Sequence, residues 1–83
     1  MIEIYSKDDC VYCQQAKKLL TDNGILFTEH KLGFNFTREM LKEKFPEART
    51  FPVIVVDGFN IGGYNQLKEH LDKQVDVRQM LNE

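Results

Sequence analysis

Residues 53–58 read Val-Ile-Val-Val-Asp-Gly, and this run constrains the fold more than any other stretch. Four consecutive apolar residues, three of them Val, make a strand with no polar side to turn to water, so it is covered on both faces. Asp57-Gly58 is a tight hairpin turn, which brings a short antiparallel strand at 59–61 back alongside. A sheet covered on both faces needs helices on both sides, and the rest of the chain is read for them.

The first residues, "IEIYS", alternate apolar and polar and predict a strand over 2–5. From Val11 to Asn23 the pattern is helical, with Ala16, Leu19 and Leu20 as its apolar side and Asn23-Gly24 as its stop. "ILFTEHK" (25–31) returns to alternation, with Ile25, Phe27 and Glu29 on one side, and Gly33 and Asn35 mark a loop. A helix over Thr37–Phe45 takes its cap from Asn35 or Thr37 and ends at Pro46. Gly62-Gly63 breaks the last strand, and "NQLKEHL" predicts a helix over 65–72 capped by Asn65. The tail "VDVRQMLNE" suggests a short amphipathic turn. The order β-α-β-α-β-β-α gives an α/β chain: a small mixed sheet whose first two strands are parallel, with helices packed on it.

Length and composition narrow the possibilities further. The chain has 83 residues, 42% hydrophobic and 29% charged, with a net charge of −2. These are globular values for one domain over 1–83. Acids and bases are interleaved and no basic cluster exceeds Lys17-Lys18, so nucleic acid is not an expected partner. No apolar run reaches membrane-spanning length, and "MIEIYS" does not resemble a cleaved leader. With two cysteines and no secretory signal, the expected compartment is a reducing cytoplasm.

Those two cysteines stand in Cys10-Val11-Tyr12-Cys13. Half a zinc site, a buried pair and a redox dithiol are the three readings. Zinc takes four ligands as a rule, and His30 and His70 lie far away without ligand spacing. A buried pair is at odds with a turn between the first strand and the first helix. There Cys10 opens the helix and Cys13 follows one turn in. Helical residues i and i+3 have Cβ atoms roughly 5–6 Å apart, so a modest adjustment closes a disulfide. Unpaired N–H groups and the positive end of the helix dipole favour a thiolate at Cys10. Lys7 adds positive charge, while Asp8 and Asp9 oppose it. The pair is read as a reactive dithiol, and no metal is expected.

Four motifs then occur in order: K-x-x-C-x-Y-C (Lys7, Cys10, Tyr12, Cys13), R-T-F-P (49–52), the strand VIVVDG, and IGGYNQL (61–67). With them the chain resembles the glutaredoxins over nearly its whole length, and its small size and its ending are similar to phage-encoded members. The resemblance implies the minimal thioredoxin fold, a four-stranded mixed sheet in the order 2-1-3-4 flanked by three or more helices. It implies a glutathione-dependent thiol–disulfide oxidoreductase, with Cys10 as nucleophile, Cys13 as resolving thiol and glutathione as co-substrate.

It also implies a glutathione set. Lys7 and Arg49 meet the glycine carboxylate, and Val11 and Tyr12 lie beside the nucleophile. Thr50 and Phe51 present backbone before a cis Pro52, and Gly63, Tyr64 and Asn65 receive the γ-glutamyl end. The expected partners are glutathione and disulfide-containing proteins, with ribonucleotide reductase an expectation at the level of the family, and the expected state is a monomer. Two features depart from the commonest pattern. Asn65-Gln66 replaces two aspartates, which removes negative charge near the α-ammonium of glutathione. Val11 replaces a proline, which restores an N–H beside Cys10 and leaves open a glutathione-ligated [2Fe-2S] dimer. Reduction by thioredoxin reductase is the third reading.

Overall fold

The computed structural model describes residues 1–72, so the turn expected in the tail lies outside the described residues. The elements are β1 (Ile2–Ser6), α1 (Val11–Asp22), β2 (Phe27–Lys31), α2 (Arg38–Lys44), β3 (Val53–Val56) and β4 (Phe59–Gly62). A third helix, α3, begins at 64 and runs to the last described residue, 72. The sheet order is β2-β1-β3-β4. β1 pairs with β2 in parallel and with β3 antiparallel, and β3 pairs antiparallel with β4. This is the thioredoxin-type sheet in the expected order.

Alternation along the two central strands divides the core. Ile4 of β1 and Ile54 of β3 point to one face, where Ala16 and Leu20 of α1 and Leu67 and Leu71 of α3 cover them. Tyr5, Val53 and Val55 point to the other, against Phe36, Leu41 and Phe45. Ile4, Leu20, Ile54 and Leu67 are fully buried, each contributing about 1.5–3 kcal/mol relative to exposure. The unbroken apolar run of β3 is thus explained by two covers, α1 and α3 on one side and α2 on the other.

Several boundaries shift, each for a local reason. β2 starts at Phe27 instead of 25, because Ile25 belongs to the end of α1. Its N–H reaches Leu20 O at 2.9 Å and the Gly24 N–H reaches Thr21 O at 3.0 Å. These are the two bonds of a Schellman stop, with Gly24 at φ 67°. Of the two caps considered for α2, Thr37 takes the role, its Oγ1 accepting the Met40 N–H at 3.2 Å. Asn35 instead accepts the Lys31 N–H in the preceding loop.

α3 starts one residue earlier than expected. Gly63, not Asn65, supplies the carbonyl for its first bond, from the Leu67 N–H at 3.0 Å. The Gln66 side chain reaches back to the Gly63 N–H at 2.9 Å, which is half of a capping box with Gly63 as the cap. Asp57 and Gly58 both have positive φ, as a two-residue hairpin turn of this hand requires.

Candidate active site

The strand-to-helix turn carries the two cysteines as the spacing predicts. Cys10 is the N-cap of α1, in extended backbone, and its Sγ accepts the Cys13 N–H at 3.1 Å. A sulfur here occupies the place of the oxygen of a capping serine, where it receives an N–H that helix geometry leaves without a partner. The two cysteines form a disulfide, with Cα atoms 5.2 Å apart. Cys10 is 8% exposed and Cys13 1%. Both are buried, and Cys10 is the more exposed of the two.

Charge around the turn relieves half of the conflict that Asp8 and Asp9 posed in the sequence. Asp8 is paired with Lys31 at the end of β2, Nζ to Oδ1 at 2.6 Å. That bond, with the attraction of the Asp8 charge, raises the Lys31 pKa above its ordinary value. One of the two negative charges ahead of Cys10 is thus matched from the neighbouring strand. Asp9 adopts φ 55°, the left-handed region that Asp tolerates in turns.

The downstream motifs converge on the same end of the sheet. The Phe51–Pro52 peptide is cis, the form implied for this position. Arg49, Thr50, Pro52 and Gly63 line one cleft of about 390 Å³ together with Asn60 and Gln66. Lys7 places its ammonium 5.8 Å from the centre of the Phe51 ring. Tyr12, which is 58% exposed, packs on Tyr64 with ring centres 5.9 Å apart. Val11 is 65% exposed at the first position of α1, and Asn65 is exposed in the first turn of α3.

The expected set is not gathered into one cavity. Lys7, Val11, Tyr12, Tyr64 and Asn65 line neither this cleft nor the neighbouring one, which Arg49, Thr50 and Phe51 share. One further cation emerges that the motifs did not mark. Arg38, the first residue of α2, lies 5.8 Å from the centre of the Phe51 ring, so that ring is flanked by Lys7 and Arg38. In the sequence Arg38 is an ordinary polar residue at a helix start, and only the packing of α2 beside 49–51 gives it this neighbour.

Glycine is required where β4 gives way to α3. Gly62 has φ 119°, and a Cβ there would stand 2.7 Å from Gln66 Cγ. At Gly63 the nearest atom to an added Cβ would be the Pro52 carbonyl oxygen at 3.5 Å, an ordinary contact. The close approach of this turn to Pro52 is what joins the IGGY and TFP motifs in one cleft. Among the described residues, no group of three or more His, Cys, Asp or Glu side chains is placed to hold a metal ion. No described helix is long and apolar enough to cross a membrane.

The family model for glutaredoxin matches residues 2–61. Glutaredoxin 3 of Escherichia coli K12 is 36% identical over 66 residues, covering 80% of each chain. Glutaredoxin 1 of Rickettsia felis is 34% identical over 84 residues, covering 96% of this chain and 79% of its own. Among solved structures, glutaredoxin 1 of Francisella tularensis, complexed with cacodylate, superposes with a TM-score of 0.74 at 28% identity, covering 90% of this chain and 95% of that one. A buckwheat glutaredoxin in complex with glutathione gives a TM-score of 0.73 at 25% identity, covering 92% of this chain and 73% of its own.

Proposed function

Since the chain belongs to the glutaredoxin family, and is thus a thiol oxidoreductase, we propose that it reduces protein disulfides and glutathione-mixed disulfides at the expense of glutathione. The observation that carries this reading is the placement of Cys10 as the N-cap of α1, its sulfur on the Cys13 N–H. A thiol with pKa ~8.5 is only about 3% ionised at pH 7, so a nucleophile needs this kind of stabilisation to act.

Cys10 thiolate attacks one sulfur of the substrate disulfide. A new S–S bond forms to Cys10, the old one breaks, and the departing thiolate takes up a proton. With a glutathione-mixed disulfide, the glutathionyl group stays on Cys10 and the protein thiol leaves. A second glutathione then attacks the glutathionyl sulfur; the bond from that sulfur to Cys10 breaks, oxidised glutathione leaves and Cys10 is restored as the thiolate. With a protein disulfide, Cys13 attacks the mixed disulfide from one turn away and closes the Cys10–Cys13 bond. Two molecules of glutathione reopen it, each giving one electron of the pair.

The glutathionyl group is read as lying along residues 49–52 with its glycine carboxylate on Lys7 and Arg49. Phe51, ahead of Pro52, offers backbone groups in the manner of an added strand. Val11 and Tyr12 flank the sulfur, and the γ-glutamyl end points to Gly63, Tyr64 and Asn65. The residues present suit such a ligand, with cations for the carboxylate and a turn whose backbone is open to approach. Gln66 modifies the fit: its side chain holds the Gly63 N–H, so the γ-glutamyl carboxylate competes with an internal partner there.

The test is to supply the oxidised protein with NADPH and either glutathione plus glutathione reductase, or thioredoxin reductase alone. NADPH consumption with the first system and little with the second is expected. Reduction by thioredoxin reductase alone would overturn the glutathione dependence and leave the oxidoreductase.

A further inference from the structure

The second cleft, between α2 and residues 46–51, has a charge that glutathione does not account for. It holds about 720 Å³, and Arg38, Leu41, Lys42, Pro46, Arg49 and Phe51 form most of its wall. Neither cysteine lines it. Its floor is apolar, from buried Leu41 and half-buried Phe51, while Arg38, Lys42 and Arg49 stand exposed on its rim. The one acid in the wall is Glu39.

These three cations, like Lys7, Lys44 and Lys68, have no carboxylate partner among the described residues, but they alone share one cleft. Lys17, Lys18 and Lys31 are each matched by a carboxylate. Arg38, Lys42 and Arg49 make no ion pair or side-chain hydrogen bond among the described residues; Arg38 has only the Phe51 ring. Arg38 and Lys42 are also four apart on one short helix, a spacing at which like charges repel and weaken the helix. The chain as a whole is acidic, with net charge −2. An uncompensated positive rim on such a chain is a local feature that an anionic partner would relieve.

The glycine carboxylate of glutathione brings one negative charge, and Lys7 with Arg49 meets it. Arg38 and Lys42 are surplus to that need. A polypeptide whose disulfide is being reduced extends away from the reacting sulfurs, and its flanking side chains must lie on the surface around them. We infer that this cleft receives an acidic segment of the protein substrate, with carboxylates on Arg38 and Lys42 and an apolar side chain against Leu41 and Phe51. The inference rests on the thiol–disulfide reading of the dithiol and adds to it a class of protein substrate. Charges on such a rim act on encounter rate and choice of partner more than on the chemical step.

The experiment compares two synthetic peptides, each with one glutathionylated cysteine followed by four glutamates or by four glutamines. The mixed disulfide of glutathione with 2-mercaptoethanol serves as a substrate that carries no acidic segment for Arg38 and Lys42. At low salt the glutamate peptide is expected to have kcat/KM about tenfold above the glutamine peptide, the sum of the two ion pairs to Arg38 and Lys42. That preference should fall towards parity in ~0.5 M salt, where the Debye length is only a few Å. Lys42→Glu should abolish or invert the preference while leaving the small substrate unchanged, and Lys42→Arg should keep it.

Binding of fluorescein-labelled, cysteine-free versions of the peptides to the oxidised protein, read by anisotropy, separates the cleft from the chemistry. If no glutathionylated substrate is turned over but the glutamate peptide still binds better and Lys42→Glu removes the difference, the glutathione reading fails and the cleft stands. Equal binding and equal kcat/KM for the two peptides would overturn the inference. So would a preference that survives Lys42→Glu, or tighter binding of a labelled single-stranded oligonucleotide than of the glutamate peptide.

Discussion

Lys31 Nζ lies 2.6 Å from Asp8 Oδ1, so the end of β2 holds the charge of the loop that leads into Cys10. Removing the lysine while keeping the aspartate returns a bare negative charge to the approach to the nucleophile. In Lys31→Ala the Cys10 thiol pKa should therefore rise, and in Asp8→Asn it should fall. The rate of iodoacetamide alkylation of the reduced protein against pH measures both. A shift of the same sign in the two variants would show that the pair does not act on the thiol through charge.

The division of labour between the cysteines predicts different losses. Cys10→Ser should remove all activity, to below about one thousandth of the parent, since the remaining thiol, Cys13, is buried away from an incoming disulfide. Cys13→Ser should keep most of its activity on a glutathione-mixed disulfide and lose reduction of a protein disulfide. Parallel assays of the two substrates check this. Loss of both in Cys13→Ser would exclude the route in which glutathione alone resolves the intermediate.

Ser6 is buried at the end of β1, and its hydroxyl donates to Glu29 Oε2 at 2.6 Å. Lys17 of α1 reaches the same oxygen at 2.9 Å. The Ser6 bond first, and Lys17 next, hold the Glu29 pKa below its ordinary value. A carboxyl depressed in the folded state stabilises it above the unfolded pKa and loses that contribution as pH falls through the folded one. Ser6→Ala should thus cost about 1–2 kcal/mol near pH 7. The difference from the parent should narrow below the ordinary Glu pKa of 4.5. Urea midpoints at neutral and acid pH read both effects.

Gly62→Ala and Gly63→Ala should separate strain from docking. At Gly62 the backbone, at φ 119°, and the Gln66 side chain both resist a Cβ, and a cost of about 1–3 kcal/mol is expected. That is a drop in Tm of several degrees or more in a chain of this size. Gly63→Ala should leave Tm nearly unchanged, because its Cβ would meet only an ordinary contact, while raising KM for glutathione if that turn receives the γ-glutamyl end. Thermal melts and steady-state kinetics on both variants decide it.

What the sequence revealed was what sequence-local physics controls. The apolar run of β3, the Asp57-Gly58 turn, the Asn23-Gly24 stop and the CVYC placement each depend on neighbours within a few residues, and each appears where its pattern puts it. What stayed hidden depends on partners far along the chain. Asp8 is neutralised by Lys31, and the Ser6 hydroxyl donates to Glu29, each partner 23 residues away, through strands that become neighbours only in the folded sheet. Arg38 gained its meaning from Phe51 in the same way. The cap of α3 was a different kind of miss. Asn65 has the right chemistry for a cap, but Gln66 reaching back to Gly63 moved the helix start.

The two faces of the central strands also divide what selection can change. The helix that bears the dithiol rests on Ile4, Ile54, Leu67 and their neighbours, whereas α2 and the 46–51 segment rest on Tyr5, Phe36, Phe45 and Val55. β1 and β3 separate the packing under the dithiol helix from the packing under α2, and only residues 49–51 serve both the cleft wall and the proposed glutathione path. Substitutions behind α2 can thus shift Arg38 and Lys42 while the packing that seats the dithiol helix is kept, which lets the choice of client change apart from the dithiol.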